Sequence, residues 1–155
     1  MFQFTLVTKT VEIQNGDTVV AILECRQATY AEDMKMSSMA LEARLQNKAE
    51  TSLIVEKKEE VSADQKRWFY FRENIYPKLA ACTTCKDGLI PTAEEAYSMP
   101  SSELNKWYFI AEQVNKPWFD EFRHITEAML KAIEKMPSAT PEYQELKKKE
   151  PKPAK

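Results

Sequence analysis

Glycine constrains this chain by its scarcity: only Gly16 and Gly88 occur in 155 residues. Few glycines leave few positions for left-handed turns, so a many-stranded fold is disfavoured and helices are favoured. The same scarcity excludes glycine-rich phosphate loops. One of the two glycines has an evident use. Asn15-Gly16 lies between the runs "FQFTLV" and "TVVAILEC", and Asn-Gly is the strongest two-residue hairpin signal. Residues 2–26 therefore read as a β-hairpin, with Phe2, Phe4 and Leu6 alternating on one face. A lone hairpin is marginal in water, so the helices that follow must cover it.

Three helix starts carry capping-box spacing: Thr29 with Glu32, Ser62 with Gln65, and Thr92 with Glu95. After the first, Tyr30, Met34, Ser37, Leu41 and Leu45 recur at helical spacing and form a stripe expected to meet the hairpin face of Val20 and Ile22. "NKAETSLIVEKKEEVSAD" then reads as a polar link, with Glu56 to Glu60 solvated. After the second, Trp68, Phe71, Ile75, Leu79 and Cys82 share a face, and Pro77 should interrupt the helix because it lacks a backbone donor. The third start opens a short helix stopped before Pro100. From Ser102, the positions Leu104, Trp107, Tyr108, Ala111 and Val114 make another stripe. Pro117 suits the first turn of a last helix carrying Trp118, Phe122, Ile125, Met129 and Ile133. "PSATPEYQELKKKEPKPAK" has almost nothing apolar and reads as a flexible tail.

The expected fold is α+β: a hairpin over residues 1–27, a mainly α-helical domain of four to five helices over 28–136 forming one folded unit with it, and a tail over 137–155. Trp68, Trp107 and Trp118, with Phe71, Tyr108 and Phe122, are the expected aromatic core.

A formal net charge of −2 argues against a dedicated nucleic-acid binder, and no apolar run is long enough for a membrane span. The N-terminus lacks a basic region, so no signal peptide is read, and the three cysteines suit a reducing cytoplasm. Cys82 and Cys85 form "CTTC". A structural zinc site needs four ligands, and only Cys25 and His124 could add to the pair, so buried free thiols are the preferred reading over a metal site. His124 has no nucleophile motif beside it, and the paired acids sit at helix starts, where the helix dipole favours them. No catalytic constellation emerges and no cofactor is expected.

Aromatic area remains. Counted from the core stripes, Phe69 and Phe119 lie near an edge, whereas Tyr70 and Phe109 point away, and Met39 opposes the first stripe. Aromatics and Met are enriched at protein interfaces, so these five residues are the candidate partner-binding set.

Three segments, "RQATYAEDMKMSSMALEAR", "RWFYFRENIYPKLAAC" and "IPTAEEAYSMPSSELNKWYFIAEQVNKPWF", resemble a family of small tailed-bacteriophage proteins, the tail assembly chaperones. The resemblance covers roughly residues 20–122. It departs from the family pattern at Asn115-Lys116-Pro117, where Asn directly precedes Pro in the family, and in the second cysteine of "CTTC". The resemblance implies a non-enzymatic protein of the host cytoplasm that binds the tape-measure protein, tail-tube subunits, or both during tail morphogenesis. Self-association is compatible with that role. The alternatives from the residues are a minor tail or connector component that stays in the virion, in which the hairpin adds a strand to a neighbour, and a small zinc-binding adaptor.

Overall fold

The computed structural model describes residues 2–120. The architecture is α+β, with an N-terminal antiparallel sheet followed by helices. Strands β1 (Thr8–Asn15) and β2 (Thr18–Arg26) form the hairpin. The helices are α1 (Tyr30–Glu56), α2 (Ala63–Tyr70), α3 (Tyr76–Ala81), α4 (Ala93–Ser98) and α5 (Ser101–Val114). A short strand β3 (Thr83–Cys85) joins the sheet beside β2, giving the order β1-β2-β3. "CTTC" thus supplies a strand that the sequence reading did not foresee.

The hairpin is shorter than expected, and its two-residue turn is Gly16-Asp17 rather than Asn15-Gly16. Gly16 takes φ +63° at the first central turn position, and Asp17 is not in the left-handed region, the pattern of a type II′ turn. Pairing runs from Thr8↔Arg26 to Asn15↔Thr18, so "FQFTLV" lies almost wholly outside the strands, and Phe2 and Phe4 are exposed. A bulge opposite Ile13 and Gln14 leaves Val20 without a partner.

The buried face of the sheet carries Val11, Ile13, Leu23 and Cys25. The expected face of Val20 and Ile22 is the wrong one: Val20 is exposed and Ile22 only half-buried. Glu24 shares their side of the strand, and the opposite side avoids burying its carboxylate. Helix α5 covers the sheet, with Trp107 and Ala111 fully buried and Val114 nearly so. Trp107 Nε1 donates to Thr83 Oγ1 at 2.9 Å, and that hydroxyl donates in turn to the Leu79 carbonyl. One threonine therefore ties α5, the end of α3 and the sheet together.

Pro77 acts as expected. The helix begun at Ala63 widens into a π-helical turn over Phe71–Ile75, and Pro77 sits in the first turn of α3. The π-helical turn thus falls just before the residue that lacks a backbone donor. The three capping boxes form, and Ser62 and Thr92 accept from Gln65 N and Glu95 N. Phe71 and Tyr97, with ring centroids 5.2 Å apart, sit at the centre of an aromatic cluster with Trp68 and Tyr76. This replaces the expected three-tryptophan core, because Trp107 is committed to Thr83 and Trp118 is only half-buried. Phe122, His124 and the expected tail lie outside the described residues.

Candidate partner-binding surfaces

Helix α1 departs most from expectation. It runs unbroken through "NKAETSLIVE", which is rich in good helix formers. Its apolar stripe does not meet the hairpin. Tyr30, Met34, Leu41 and Leu45 are all exposed, at 77%, 47%, 57% and 58%. The buried residues are Ala43 and Asn47, on a face about 140° around the helix from the stripe.

A polar anchor explains the inversion. Arg72, in the π-helical turn, is 8% exposed. Its guanidinium forks onto Glu50, with Nη1 to Oε1 at 3.1 Å and Nη2 to Oε2 at 2.9 Å, and its Nε donates to Asn47 Oδ1 at 2.9 Å. The same group stacks over Trp68 and Phe69, 5.2 and 5.6 Å from the ring centroids. Asn47 Nδ2 returns a hydrogen bond to the Phe69 carbonyl at 2.9 Å, and Arg44 Nε pairs with Glu73 at 2.8 Å. A buried guanidinium must have its carboxylate and acceptors, so the α1 face that supplies Asn47 and Glu50 is the face that docks. Sequence periodicity counts apolar side chains and does not register such an anchor. The signal that could have found it is the isolated Arg72 among the aromatics of "RWFYFREN".

Asn115 is the second such residue. It is 5% exposed, its Oδ1 accepts from Ala28 N at 2.6 Å and its Nδ2 donates to Arg26 O at 2.9 Å. The side chain fixes the end of α5 to the link between β2 and α1, which sets where α1 begins.

The five candidate residues do not converge. Met39 is half-buried near the docked face of α1. Phe69 is half-buried under Arg72, and Tyr70 is 39% exposed at the end of α2. Phe119 is 1% exposed, so its ring is not an available surface, contrary to its placement at a stripe edge. Phe109 is 57% exposed on α5. It lines an open cleft of about 350 Å³ with Lys106 and Ile110 of α5 and Thr10, Glu12 and Gln14 of β1. Among the described residues β1 has a neighbour on one side only, which makes it an edge strand there. Both ends of β1 are tied to α5: Gln14 N donates to Glu103 Oε2 at 2.8 Å, and Lys9 Nζ donates to Gln113 Oε1 at 3.0 Å. The Lys106 ammonium and the Gln14 amide hold the Glu103 carboxyl below the usual carboxylate range. Phe109 sits between these two ties.

The three cysteines lie on the sheet and at the end of α3. Cys25 and Cys82 are buried around Thr83, with Cys25 Sγ 3.5 Å from its hydroxyl, and Cys85 is half-buried on β3. The Cys82 thiol is pushed up by its hydrogen bond with Cys25 and by burial, which disfavours a reactive thiolate. Among the described residues no group of three or more His, Cys, Asp or Glu side chains could hold a metal ion, and no helix is long and apolar enough to cross a membrane. No protein-family model, curated protein or solved structure matches the chain.

Proposed function

We propose that this protein is a non-enzymatic tail assembly chaperone acting in the host cytoplasm, holding the tape-measure protein, tail-tube subunits, or both during tail morphogenesis. The reading rests on the family resemblance of residues 20–122. The observation that carries it is Phe109, 57% exposed in an open cleft beside an edge strand. A tape-measure chain carries apolar helical stripes until the tube encloses it, and a cleft with one aromatic anchor recognises such a stripe. The cleft is shallow, so binding is modest and the client can be released. The experiment is co-expression with a tape-measure fragment followed by co-purification, comparing the wild-type protein with Phe109→Ser. Retention by the wild type and loss by the folded variant supports the reading; equal retention removes Phe109 from the binding surface.

The edge position of β1 favours one second reading, a minor tail or connector component whose hairpin adds a strand to a neighbour's sheet. Mass spectrometry of purified particles separates the two, because a chaperone is absent from the mature virion and a connector is present.

A further inference from the structure

The apolar stripe of α1 lies on a different element from the Phe109 cleft, and the proposed function leaves it unused. Tyr30, Met34, Leu41 and Leu45 are each close to half exposed or more, along about 22 Å of helix. An unpaired apolar face of this length on a stable helix is a solubility liability unless it is covered part of the time.

Its spacing is self-complementary. The four residues are placed symmetrically about the Ser37–Ser38 bond. Two copies laid antiparallel across that point bring Tyr30 of one onto Leu45 of the other, and Met34 onto Leu41. The small serines fall at the crossing and allow the helices to approach closely. Lys48, the next residue on the stripe, falls beyond the start of the opposing helix and is not buried. The flanks agree with this arrangement. In an antiparallel pair each flank faces its own copy, and both flanks of α1 carry an acid and a base: Lys35 with Glu42 on one side, Asp33 with Arg44 on the other. Each acid lies within about two residues, roughly 3 Å, of axial register with the base on the opposing helix. Arg44 is already engaged by Glu73 of its own chain, so Lys35 and Glu42 are the pair that remains for the contact. Antiparallel packing also sets the two helix dipoles side by side in opposite directions, which is favourable.

We infer that α1 mediates two-fold self-association of this protein, as an antiparallel helix pair centred on Ser37 and Ser38. Four large apolar side chains per copy make a small interface, so the dimer is reversible rather than obligate.

The test is sedimentation equilibrium of the full chain at concentrations up to roughly 200 μM, above the micromolar Kd expected of such an interface. A monomer–dimer equilibrium is expected. Leu41→Ser removes an anchor from both copies and should weaken it by at least roughly a hundredfold with an unchanged circular dichroism spectrum. Lys35→Glu and Glu42→Lys should each weaken it about three- to tenfold at low salt, and the double exchange should restore it. Phe109→Ser should leave it unchanged. A strictly monomeric wild-type protein would overturn the inference. So would a dimer indifferent to Leu41→Ser, a double exchange that fails to restore association, or a monomer in which Leu41→Ser abolishes tape-measure binding. A monomer whose melting temperature drops on Leu41→Ser would overturn it as well, since the stripe would then be covered within its own chain.

Discussion

Replacing Arg72 by Met tests how α1 is held. The substitution keeps the length and apolar volume of the side chain but removes the guanidinium. Four donated hydrogen bonds go with it, two to Glu50 and two to Asn47 Oδ1. Breaking a fully buried pair by deleting one partner costs about 3 to 5 kcal/mol. The Glu50 side chain is 46% exposed, however, and returns to water cheaply, so the ionic part deserves only a fraction of that value. The Asn47 oxygen has no such escape, because the residue is 7% exposed, and orphaning it costs about 1 to 2 kcal/mol. Loss of the stack over Trp68 and Phe69 adds up to about 1 kcal/mol, roughly offset by the methionine packing against the same rings. The expected net loss is about 2 to 3 kcal/mol, or a fall in melting temperature on the order of 10 °C. Urea unfolding followed by tryptophan fluorescence reads it directly. The companion change Leu41→Ala, at a 57% exposed site, should stay within about 0.5 kcal/mol. The reasoning is refuted if Arg72→Met is neutral while Leu41→Ala costs more than about 2 kcal/mol, because α1 would then dock through its stripe.

Other expected outcomes can be checked with the same preparations. Trp107→Ala should cost about 3 to 5 kcal/mol in the same urea titration, since the ring is fully buried and its Nε1 is bonded to Thr83. Phe109→Ser should leave stability within about 1 kcal/mol by thermal unfolding while weakening tape-measure binding by about 1 to 2 kcal/mol in calorimetry. Gly16→Ala should destabilise the hairpin by about 1 kcal/mol, because φ of +63° suits glycine alone of the two, and the chemical shifts of Asn15 and Thr18 should report it. Glu103 has its folded pKa below its unfolded one, so its contribution is present above the unfolded value and is lost as pH falls through the folded value. The Gln14 amide resonance should therefore move at acidic pH, and Glu103→Gln should abolish that titration.

The elements with strong local signals were legible. The three capping boxes and the α5 stripe place four helices near their observed starts, Pro77 marks the interruption after α2, and Asn15-Gly16 places the hairpin. Which faces are buried was less legible. In β2 the choice between Val20–Ile22 and Leu23–Cys25 turns on the cost of burying Glu24, which a count of apolar residues ignores. In α1 the choice turns on Arg72, more than 20 residues away in sequence, whose need for Asn47 and Glu50 outweighs the pull of four apolar side chains. Candidate surfaces inherited that error. The exposure of Phe109 is legible because α5 buries its expected stripe, whereas the α1 stripe reads as core because nothing local reveals the Arg72 anchor. β3 escaped notice because three residues carry too little pattern, and its pairing depends on β2.

Oxidation of the methionines of α1 tests the central claim, that this helix docks through its polar face and turns its apolar stripe to the outside. Met34 lies on the stripe and is 47% exposed, whereas Met36 and Met39 are half-buried toward the docked side. Brief peroxide treatment of dilute protein, read by peptide mass spectrometry, should oxidise Met34 several times faster than Met36 or Met39, since thioether oxidation follows access. Equal rates, or faster oxidation of Met36 and Met39 than of Met34, would contradict the orientation of α1 and with it the account of both its anchor and its free face.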